Sequence, residues 1–496
     1  MSGSYFPRQN DVVPDLNDLK LDFQDNVESE PSDDSDYQSK LEVEFDDEST
    51  RRRKSSLVPN EYPRTRPVMP RKNTSCIVHS LLEREGKSPD AEPSHDGIAE
   101  SRTADKLAED EEAMTRSRLL TKKELSDMAW GVRRLSKRLA GIKMKLQVRT
   151  IFILTKAHDE TLIANTREVT DWLLSSERDT AYTVYVESTL EDNKLFDKAG
   201  LLKKYPSAET RLKFWTPELC ARRPNLFDFL ISLGGDGTVL YASWLFQRVV
   251  PPVLSFSLGS LGFLTKYDYD GYQETLTKGF RDGFTVSLRL RFEGTIMRSQ
   301  KRDKEGVRRD IVEELVGEES DDHRTHKPEK THEILNDVVV DRGPNPTMST
   351  IELFGDDEHF TTVQADGICV ATPTGSTAYN LAAGGSLCHP DNPVILVTAI
   401  CAHTLSFRPI ILPDTIVLRI AVPYDARTSS WASFDGRERV ELFPGDYVTI
   451  SASRYPFPSI LPPGRRNEDW ITGIQRTLQW NSRQRQKAFK EWVKSK

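Results

Sequence analysis

Three- and four-residue spacing of apolar side chains marks the first regular element of the chain. Between residues 121 and 147, such side chains recur on one face of a helix at Leu125, Met128, Val132, Leu135, Leu139 and Ile142. This spacing predicts an amphipathic helix with a basic outer face. We therefore expect residues 111–145 to form a helical linker that docks onto the domain that follows.

Apolar runs alternate with helical spacing over the next part of the chain. Residues 149–155, 181–187 and 227–233 are typical of buried strands, and residues 159–174 are typical of a helix. Strands that alternate with helices indicate parallel βαβ units. The pattern predicts a doubly wound, Rossmann-like α/β domain over residues 146–283.

After residue 284, apolar and polar positions alternate in short runs. These runs occupy residues 285–292, 334–341, 347–354, 414–422 and 447–453. A period of two predicts antiparallel strands, and we expect a β-rich domain of the β-sandwich type over residues 284–440. A dense mixture of charges at 298–331 predicts a long solvent-exposed insertion. Residues 441–496 are expected to form a C-terminal segment with a basic helical tail.

Composition changes this picture at the N-terminus. Residues 1–50 hold fifteen acidic and three basic side chains, and residues 1–110 as a whole contain few large apolar residues. Such a segment cannot bury enough surface to offset its ordering entropy, so we expect a disordered leader. The whole chain has a formal charge of −8, whereas the residues after position 50 taken together carry a slight positive charge. This near neutrality argues against a nucleic-acid partner that needs a broad basic face.

The sequence also limits where the protein works. No apolar run reaches the roughly 18–20 residues that a membrane span needs, so no membrane partner is expected. The five cysteines are far apart and form no CxxC pair, so neither a zinc site nor a disulfide framework is predicted. The acidic N-terminus resembles neither a secretory signal nor a transit peptide. We expect a cytoplasmic protein, with the nucleus as the alternative because serines follow a basic cluster at 51–56.

The first segment with candidate functional residues is a glycine-rich loop. The apolar run 227–233 leads directly into Gly234, Gly235, Asp236, Gly237 and Thr238. Open α/β sheets bind ligands at the carboxyl ends of their strands. Glycine lets backbone N–H groups approach an anion closely, and the helix predicted from Val239 onward would favour a phosphate at its N-terminus. An ordinary turn with a surface aspartate is the competing interpretation, and an acid flanked by glycines after a buried strand favours phosphate chemistry.

Asp236 has two possible roles in that chemistry. Phosphoryl transfer depends mainly on positioning and charge neutralisation. The Asp236 carboxylate could accept the proton of an attacking hydroxyl as a general base. It could instead help to hold Mg²⁺, which prefers carboxylate and phosphate oxygens. The sequence alone does not separate the two roles, and it assigns no metal ligand.

Two further segments carry side chains that suit a nucleotide. Residues 366–385 pass from a short apolar strand through a Pro–Gly turn into small residues, which predicts a helix capped by Ser376 or Thr377. Its smooth surface suits helix packing and a flat adenine or nicotinamide ring equally well. Asn336 and Asp337 stand inside an otherwise apolar strand, where burial without hydrogen bonds is costly. A ribose would satisfy this pair, and a strand-end turn is the competing explanation.

Familiar kinase signatures are absent, since there is no GxxxxGK[ST] loop and no HRD…N loop. Instead, four segments in this order resemble the ATP-dependent NAD kinases, especially those of eukaryotic, fungal type. They are GGDGT at 234–238, SLGSLGFLT at 257–265, the Asn336-Asp337 strand, and DGICVATPTGSTAYNLAAGGSLCHP at 366–390. The resemblance implies an α/β domain, a β-rich domain, and NAD bound between them. It also implies a Mg²⁺-assisted transfer of the terminal phosphate of ATP to the 2′-hydroxyl of the adenosine ribose, and a homo-oligomer.

The resemblance also implies roles for individual residues. Asp236 would face the ribose hydroxyl. Gly234, Gly235, Gly237 and Thr238 would lie at the phosphates of ATP, and Phe263, Asn336, Asp337, Asp366, Thr377, Tyr379 and Ala382 would line NAD. Many relatives have serine where this chain has Ala382, so a hydroxyl contact is missing there. Asp337 stands where the commoner residue is glutamate.

Two other function classes compete with this expectation. A lipid kinase of the diacylglycerol or sphingosine type would share the GGDGT loop, but the Asn336-Asp337 strand and the 375–385 block favour a dinucleotide acceptor. A non-catalytic NAD-binding regulator would arise most simply by loss of the acid at position 236, which this chain retains.

Overall fold

A computed structural model describes residues 116–155, 159–259, 262–300, 309–316, 325–462 and 467–479, with the backbone alone for 467–469. The leader expected over residues 1–110 lies outside the described residues, as do parts of the 298–331 insertion and the end of the basic tail. The described ranges form an α/β domain followed by two antiparallel sheets. The fold class expected from the sequence is confirmed for these ranges.

The linker contains one amphipathic helix. Helix α1 spans Lys122–Leu139 and begins with a capping box, in which the Thr121 hydroxyl accepts from the Glu124 N–H and the Glu124 carboxylate accepts from the Thr121 N–H. Its buried face holds Leu125, Ala129, Leu135 and Leu139. The helix ends before residue 147, since glycine at 141 is a poor helix former and the chain then forms a β-bridge at residue 144.

The α/β domain is built on a sheet of parallel strands in the order β3-β2-β1-β4-β5. Its strands are β1 (Thr150–Thr155), β2 (Thr183–Glu187), β3 (Leu212–Trp215), β4 (Phe229–Leu233), β5 (Val253–Ser257), the short β6 (Tyr267–Asp268) and β7 (Thr285–Arg289). Its helices are α2 (Glu160–Leu174), α3 (Lys198–Lys204), α4 (Ala208–Arg211), α5 (Pro217–Arg222), α6 (Asp236–Leu245) and α7 (Tyr272–Asp282).

Both faces of this sheet are covered, as a doubly wound fold requires. Successive side chains of a strand point to opposite faces. In β1, Ile151 and Ile153 belong to the apolar cluster that includes residues of α1, α2 and α7. Phe152 and Leu154 belong to a second cluster that includes residues of α5 and α6. The predicted doubly wound topology is therefore present.

The second domain consists of two six-stranded antiparallel sheets, in the orders β15-β14-β13-β10-β17-β18 and β12-β11-β16-β19-β8-β9. Their strands are β8 (Phe292–Ser299), β9 (His326–Ile334), β10 (Asp337–Asp341), β11 (Ser349–Gly355), β12 (Glu358–Ala365), β13 (Gly367–Ala371), β14 (Val394–Ile400), β15 (Ile410–Pro413), β16 (Leu418–Ala421), β17 (Ser430–Phe434), β18 (Glu438–Leu442) and β19 (Tyr447–Ala452). Strand β20 (Phe457–Leu461) and helices α8 (Ile311–Leu315), α9 (Tyr379–Ala382) and α10 (Asn467–Leu478) complete the described elements. One apolar cluster contains side chains of both sheets, as in a sandwich.

The domain limits differ from the expected 283/284 and 440/441 boundaries. Strand β7 still belongs to the first sheet, where it pairs antiparallel with β20, and β20 pairs parallel with β5. Strand β19 completes the sandwich instead, through pairing with β8 and β16. The chain therefore returns to its first sheet after the sandwich is finished, a long-range pairing that local patterns do not encode.

The charged insertion is not simply solvent-exposed. Strand β9 pairs along most of β8, so the two strands form a long antiparallel ladder on either side of the connection. Helix α8 lies within the connection, and its Ile311 and Leu315 are buried against Met297, Phe354 and Tyr447. Two apolar side chains at i and i+4 among many charges were too weak a signal to reveal this helix.

No helix in the described ranges is long and apolar enough to cross a membrane.

Candidate active site

The glycine loop joins the buried strand β4 to helix α6. Gly234 has φ +146°, and a Cβ on it would lie 2.5 Å from the Thr238 hydroxyl, so this position requires glycine. A Cβ on Gly235 or Gly237 would meet nothing within 4 Å. These two glycines therefore leave open space above the first turn of α6. The N–H groups of a first turn have no i−4 partner in an α-helix, and here the Thr238 N–H donates to the Gly235 carbonyl at 2.9 Å.

Asp236 is the first residue of α6, and its carboxylate holds the loop that follows β5. It accepts hydrogen bonds from the N–H groups of Phe263 (2.8 Å), Leu264 (3.0 Å) and Thr265 (3.0 Å), and from the Thr265 hydroxyl (3.1 Å). A Cβ on Gly262 would lie 2.1 Å from a carboxylate oxygen, so glycine is required there too. Asp236 thus joins the glycine loop to the segment that carries Phe263.

Asn336 and Asp337 lie where the chain crosses between the two sheets of the sandwich. Strand β9 ends at Ile334 and β10 begins at Asp337, so the pair marks a break and not the middle of one strand. The strand-end turn considered above is what the structure contains. A change of sheet within two residues leaves backbone groups without a ladder partner, and side chains from elsewhere must satisfy them.

Asp435 supplies those partners. Its carboxylate accepts hydrogen bonds from the N–H groups of Leu335 (2.8 Å), Asn336 (2.7 Å) and Asp337 (3.1 Å). On the acceptor side, the Thr372 hydroxyl donates to the Leu335 carbonyl at 2.6 Å, and the Thr372 N–H donates to the Asn336 carbonyl at 2.8 Å. The break is therefore rigidly held from both sides.

The two carboxyl groups at this break lie in a desolvated environment. Asp337 is 7% exposed, and burial, followed by the nearby charge of Asp435, raises its pKa to about 7. Burial also raises the pKa of Asp435 to about 6, against the opposing effect of the three N–H groups that it binds. Desolvation disfavours the charged form of a carboxyl group, so burial favours the neutral form of Asp337.

The 366–385 segment differs from its prediction. Residues Thr374–Thr377 form one turn of 3-10 helix, and α9 has only four residues. Neither Ser376 nor Thr377 caps a helix. The Ser376 hydroxyl donates to the Cys388 carbonyl and accepts from the Cys388 N–H, both at 3.0 Å. The Thr377 hydroxyl lies 3.4 Å from the Thr374 carbonyl. Positive φ at Gly384 ends the segment early, because a regular helix cannot continue through that conformation.

The remaining candidate residues of this segment fall into two places. Tyr379 is 44% exposed, and burial followed by the negative charge of Asp341 raises the pKa of its hydroxyl; Asp337 contributes to the same shift. Ala382 is exposed one turn further along. Asp366 directly precedes β13, at the end where Gly367 pairs with Asp341, and forms an ion pair with Arg342 at 2.9 Å.

The turn between β17 and β18 links the two halves of the site. Asp435 in this turn binds the Asn336-Asp337 break, as described above. Two residues later, the Arg437 guanidinium lies 4.3 Å above the ring of Tyr241 on α6 and donates to the Gly237 carbonyl at 3.3 Å. The glycine loop and the Asn336-Asp337 break therefore both contact the β17–β18 turn.

Comparison with known proteins shows which family the chain belongs to. Residues 151–284 match the model of the ATP-NAD kinase N-terminal domain, and residues 335–461 match that of the ATP-NAD kinase C-terminal domain. A Schizosaccharomyces pombe protein described as an uncharacterized kinase is 43% identical over 72% of this chain and 86% of its own length. The chain belongs to the ATP-NAD kinase family.

Members with named activities are similar to this ATP-NAD kinase over most of its length. The Saccharomyces cerevisiae NAD(+) kinase is 43% identical over 74% of the chain and 66% of its own length, and the ATP-NADH kinase of the same yeast is 41% identical over 73% and 70%. The crystal structure of yeast NADH kinase complexed with NADH matches with a TM-score of 0.54 at 28% identity, over 68% of this chain and 89% of that one. The expected family is confirmed, and this ATP-NAD kinase is an ATP-dependent phosphotransferase.

Sequence reasoning missed three features that lie beside the candidate site residues. They are Asp435, Arg437 and the N–H groups of residues 263–265 that Asp236 binds. The dipeptide Asp435-Gly436 between two alternating runs is a hairpin signal, so the turn was detectable. Its position beside the glycine loop was not detectable, because 200 residues separate Gly237 from Arg437 in the sequence.

Proposed function

We propose that this ATP-NAD kinase transfers the γ-phosphate of ATP to the 2′-hydroxyl of the adenosine ribose of NAD, which yields NADP. The observation that carries this assignment is the open space above Gly235 and Gly237 at the start of α6. Phosphates bind readily where a glycine loop enters a helix, because unpartnered N–H groups and the helix dipole favour an anion there. Gly234, Gly235, Gly237 and Thr238 are the proposed contacts for the phosphates of ATP.

The acceptor is proposed to bind across the cleft, at the Asn336-Asp337 break. The N–H of Asn336 donates to Asp435, and its carbonyl accepts from the Thr372 N–H. These two hydrogen bonds fix the backbone from which the Asn336 side chain extends. A carboxyl or amide group so placed suits the vicinal hydroxyls of a ribose. Phe263, Thr377, Tyr379 and Ala382 are the proposed lining of the dinucleotide. Asp366, which directly precedes β13, is proposed to line the same dinucleotide.

Asp236 is the proposed group that faces the ribose hydroxyl. Its two carboxyl oxygens accept four hydrogen bonds. A substrate hydroxyl adds one more donor to this set, so the carboxylate could receive its proton as the oxygen attacks phosphorus. Three of the four donors bind Oδ1 and only the Phe263 N–H binds Oδ2, so Oδ2 keeps a lone pair that could serve the general-base role, which is the role we propose.

The Mg²⁺ ion is proposed to enter with ATP as part of the substrate. Within the described ranges, no group of three or more His, Cys, Asp or Glu side chains could hold a metal ion. Mg²⁺ usually keeps several waters and binds through substrate phosphates with one or two carboxylates. The chain therefore does not need a preformed metal cage.

An acceptor assay tests the proposed function directly. The purified full-length protein is incubated with MgATP and with NAD, NADH, diacylglycerol or sphingosine in turn, and the products are separated by chromatography. We expect a product with one added phosphate on the dinucleotide and none on either lipid. Cleavage of this product by a 3′-nucleotidase, or a phosphorylated lipid without NADP, would contradict the proposal.

We also propose that the protein assembles as a homo-oligomer in the cytoplasm. The edge strand β15 and the segment before it expose Ile411 (55%) and Leu405 (88%), which supports a self-contact on this side of the sandwich. Free thiols at Cys220, Cys369, Cys388 and Cys401 are consistent with a reducing compartment.

A further inference from the structure

We propose that Arg437 is a phosphate-binding residue for the triphosphate of ATP, delivered to the glycine loop by the β17–β18 turn. This inference rests on the proposed function and extends it to a residue of the second domain. No local motif marks Arg437 in the sequence. The proposed phosphate-binding role of Arg437 depends on where the fold places its guanidinium group.

The turn that carries Arg437 has a defined shape. Asp435 and Gly436 both have positive φ, at 48° and 65°, and the Arg437 N–H donates to the Phe434 carbonyl at 3.0 Å. These are the features of a type I′ turn, the type whose twist matches that of the flanking strands. Asp435 is further fixed by its three hydrogen bonds to residues 335–337. Arg437 therefore projects from a rigid base.

The side chain of Arg437 reaches the first turn of α6. Its guanidinium lies 4.3 Å above the Tyr241 ring, a cation–π contact that orients the planar group. Within the described ranges its one hydrogen bond is the 3.3 Å contact from Nη2 to the Gly237 carbonyl. A guanidinium has five N–H donors, so most of its donor capacity remains for a ligand beside Gly237.

Charge and geometry both favour a phosphate as that ligand. The space above Gly235 and Gly237 is open, and Arg437 borders the same loop. Arginine binds phosphate oxygens with two parallel hydrogen bonds, and these charge-assisted bonds are stronger than neutral ones. A guanidinium held by an aromatic ring loses less freedom when it binds. Arg437 would thus bind the triphosphate from the side of the second domain, opposite the glycine loop of the first.

The alternative is that Arg437 only ties the two domains together. The variants R437Q and R437K separate the two explanations. A matched control is R178Q, since the Arg178 guanidinium lies 4.4 Å above the Trp172 ring. Arg178 precedes β2 and therefore lies at the amino edge of the parallel sheet, opposite to the glycine loop that follows β4.

The measurements are the KM values for ATP and for NAD, the melting temperature, and ADP binding by calorimetry without acceptor. For R437Q we expect the KM for ATP and the Kd for ADP to rise about 10- to 100-fold. R437K should lose less, because it keeps the charge. The KM for NAD should change less than about twofold, and R178Q should match the parent protein in all kinetic values.

Two results would overturn the proposal. One is an unchanged Kd for ADP in R437Q. The other is an equal rise in both KM values with a lower melting temperature, which would assign Arg437 a purely structural role. Calorimetry needs no acceptor, so it tests Arg437 even if the parent protein phosphorylates something other than NAD.

Discussion

At the scale of single residues, two carboxyl groups of this protein both stabilise a loop and lie at the proposed substrate site. Asp236 and Asp435 each bind three backbone N–H groups, so each fixes a loop that local structure would leave unpaired. Both also border the cleft that is proposed to hold the substrates. A substitution at either position therefore changes structure and chemistry together, and experiments must separate the two effects.

Replacing Asp236 by Asn is expected to lower kcat about 10²- to 10⁴-fold, the range typical for loss of a general base. The Kd for NAD should change much less, because the proposed role belongs to the transition state. The amide would also face an N–H donor of the 263–265 segment, so a modest fall in melting temperature is expected as well. Steady-state kinetics, NAD titration and thermal unfolding measure the three effects.

T265V is the matched control for that variant. It removes the hydroxyl that donates to Asp236 at 3.1 Å and leaves the carboxylate in place. We expect a similar fall in melting temperature and a loss of kcat of less than about tenfold. If T265V lowers kcat as far as D236N does, the carboxylate acts through loop structure and not as a base.

The pKa of Asp337 leads to a prediction about stability. Burial raises this pKa from 3.8 to about 7, so between pH 4 and 7 the folded chain binds a proton that the unfolded chain has lost. Stability therefore falls as pH rises through this window, and above pH 7 the full penalty remains, at most about 4 kcal/mol. D337N removes the charge. We expect D337N to raise the melting temperature. The increase should be larger at pH 8 than at pH 5, because the buried charge that it removes is present mainly at the higher pH.

Thermal unfolding at the two pH values checks this expectation, with the exposed Asp270 as the control position. D270N should leave the pH dependence of the melting temperature unchanged. A D337N protein that is less stable than its parent at pH 8 would contradict the desolvation argument. If Asp337 contacts NAD as proposed, the same variant should also bind NAD more weakly.

At the scale of elements, the sequence predicts what short-range physics controls. The parallel strands, helix α2 and the amphipathic α1 follow from periodicity, and the glycine loop follows from its residue types. The break at Asn336 was considered only as an alternative to one continuous strand, because an apolar run on both sides is also typical of a single strand. The return of β20 to the first sheet was also missed, since pairing between distant strands depends on tertiary packing.

The same contrast applies to the candidate site. Motif residues such as Asp236 and Asn336 were found because unusual residue types stand in apolar surroundings. Arg437 could not be found in this way, since an arginine in a turn is ordinary and only the folded chain brings it to Gly237. Helix α9 was predicted too long, because small residues favour a helix locally while Gly384 at φ +87° ends it.

At the scale of the whole molecule, α1 connects the two domains. Leu135 and Leu139 belong to the apolar core of the α/β domain. On the same helix, Arg133 forms an ion pair with Asp414 and Lys122 forms one with Asp356 at 3.4 Å, both in the sandwich domain. The preceding turn adds a hydrogen bond of 2.9 Å from the Ser117 N–H to the Glu293 carboxylate. Residues 116–139 therefore form part of the folded unit.

This arrangement predicts how far the chain can be shortened. A protein that starts at residue 111 should keep the kcat and melting temperature of the full chain, since every contact just described is retained. A protein that starts at residue 142 should lose solubility or melt at least about 10 °C lower, because it exposes the core face that α1 covers. Thermal unfolding and the acceptor assay compare the two.

Point variants in the full-length chain test the same idea without truncation. L135A removes a side chain that is 1% exposed and should cost about 2–5 kcal/mol. W130A removes a larger side chain from the same helix, but one that is 58% exposed, and should cost less than about 1 kcal/mol. Since both variants retain the helix and differ only in which face they alter, equal losses would mean that α1 does not dock as described. A loss confined to L135A would show that the helix stabilises the kinase through its buried face.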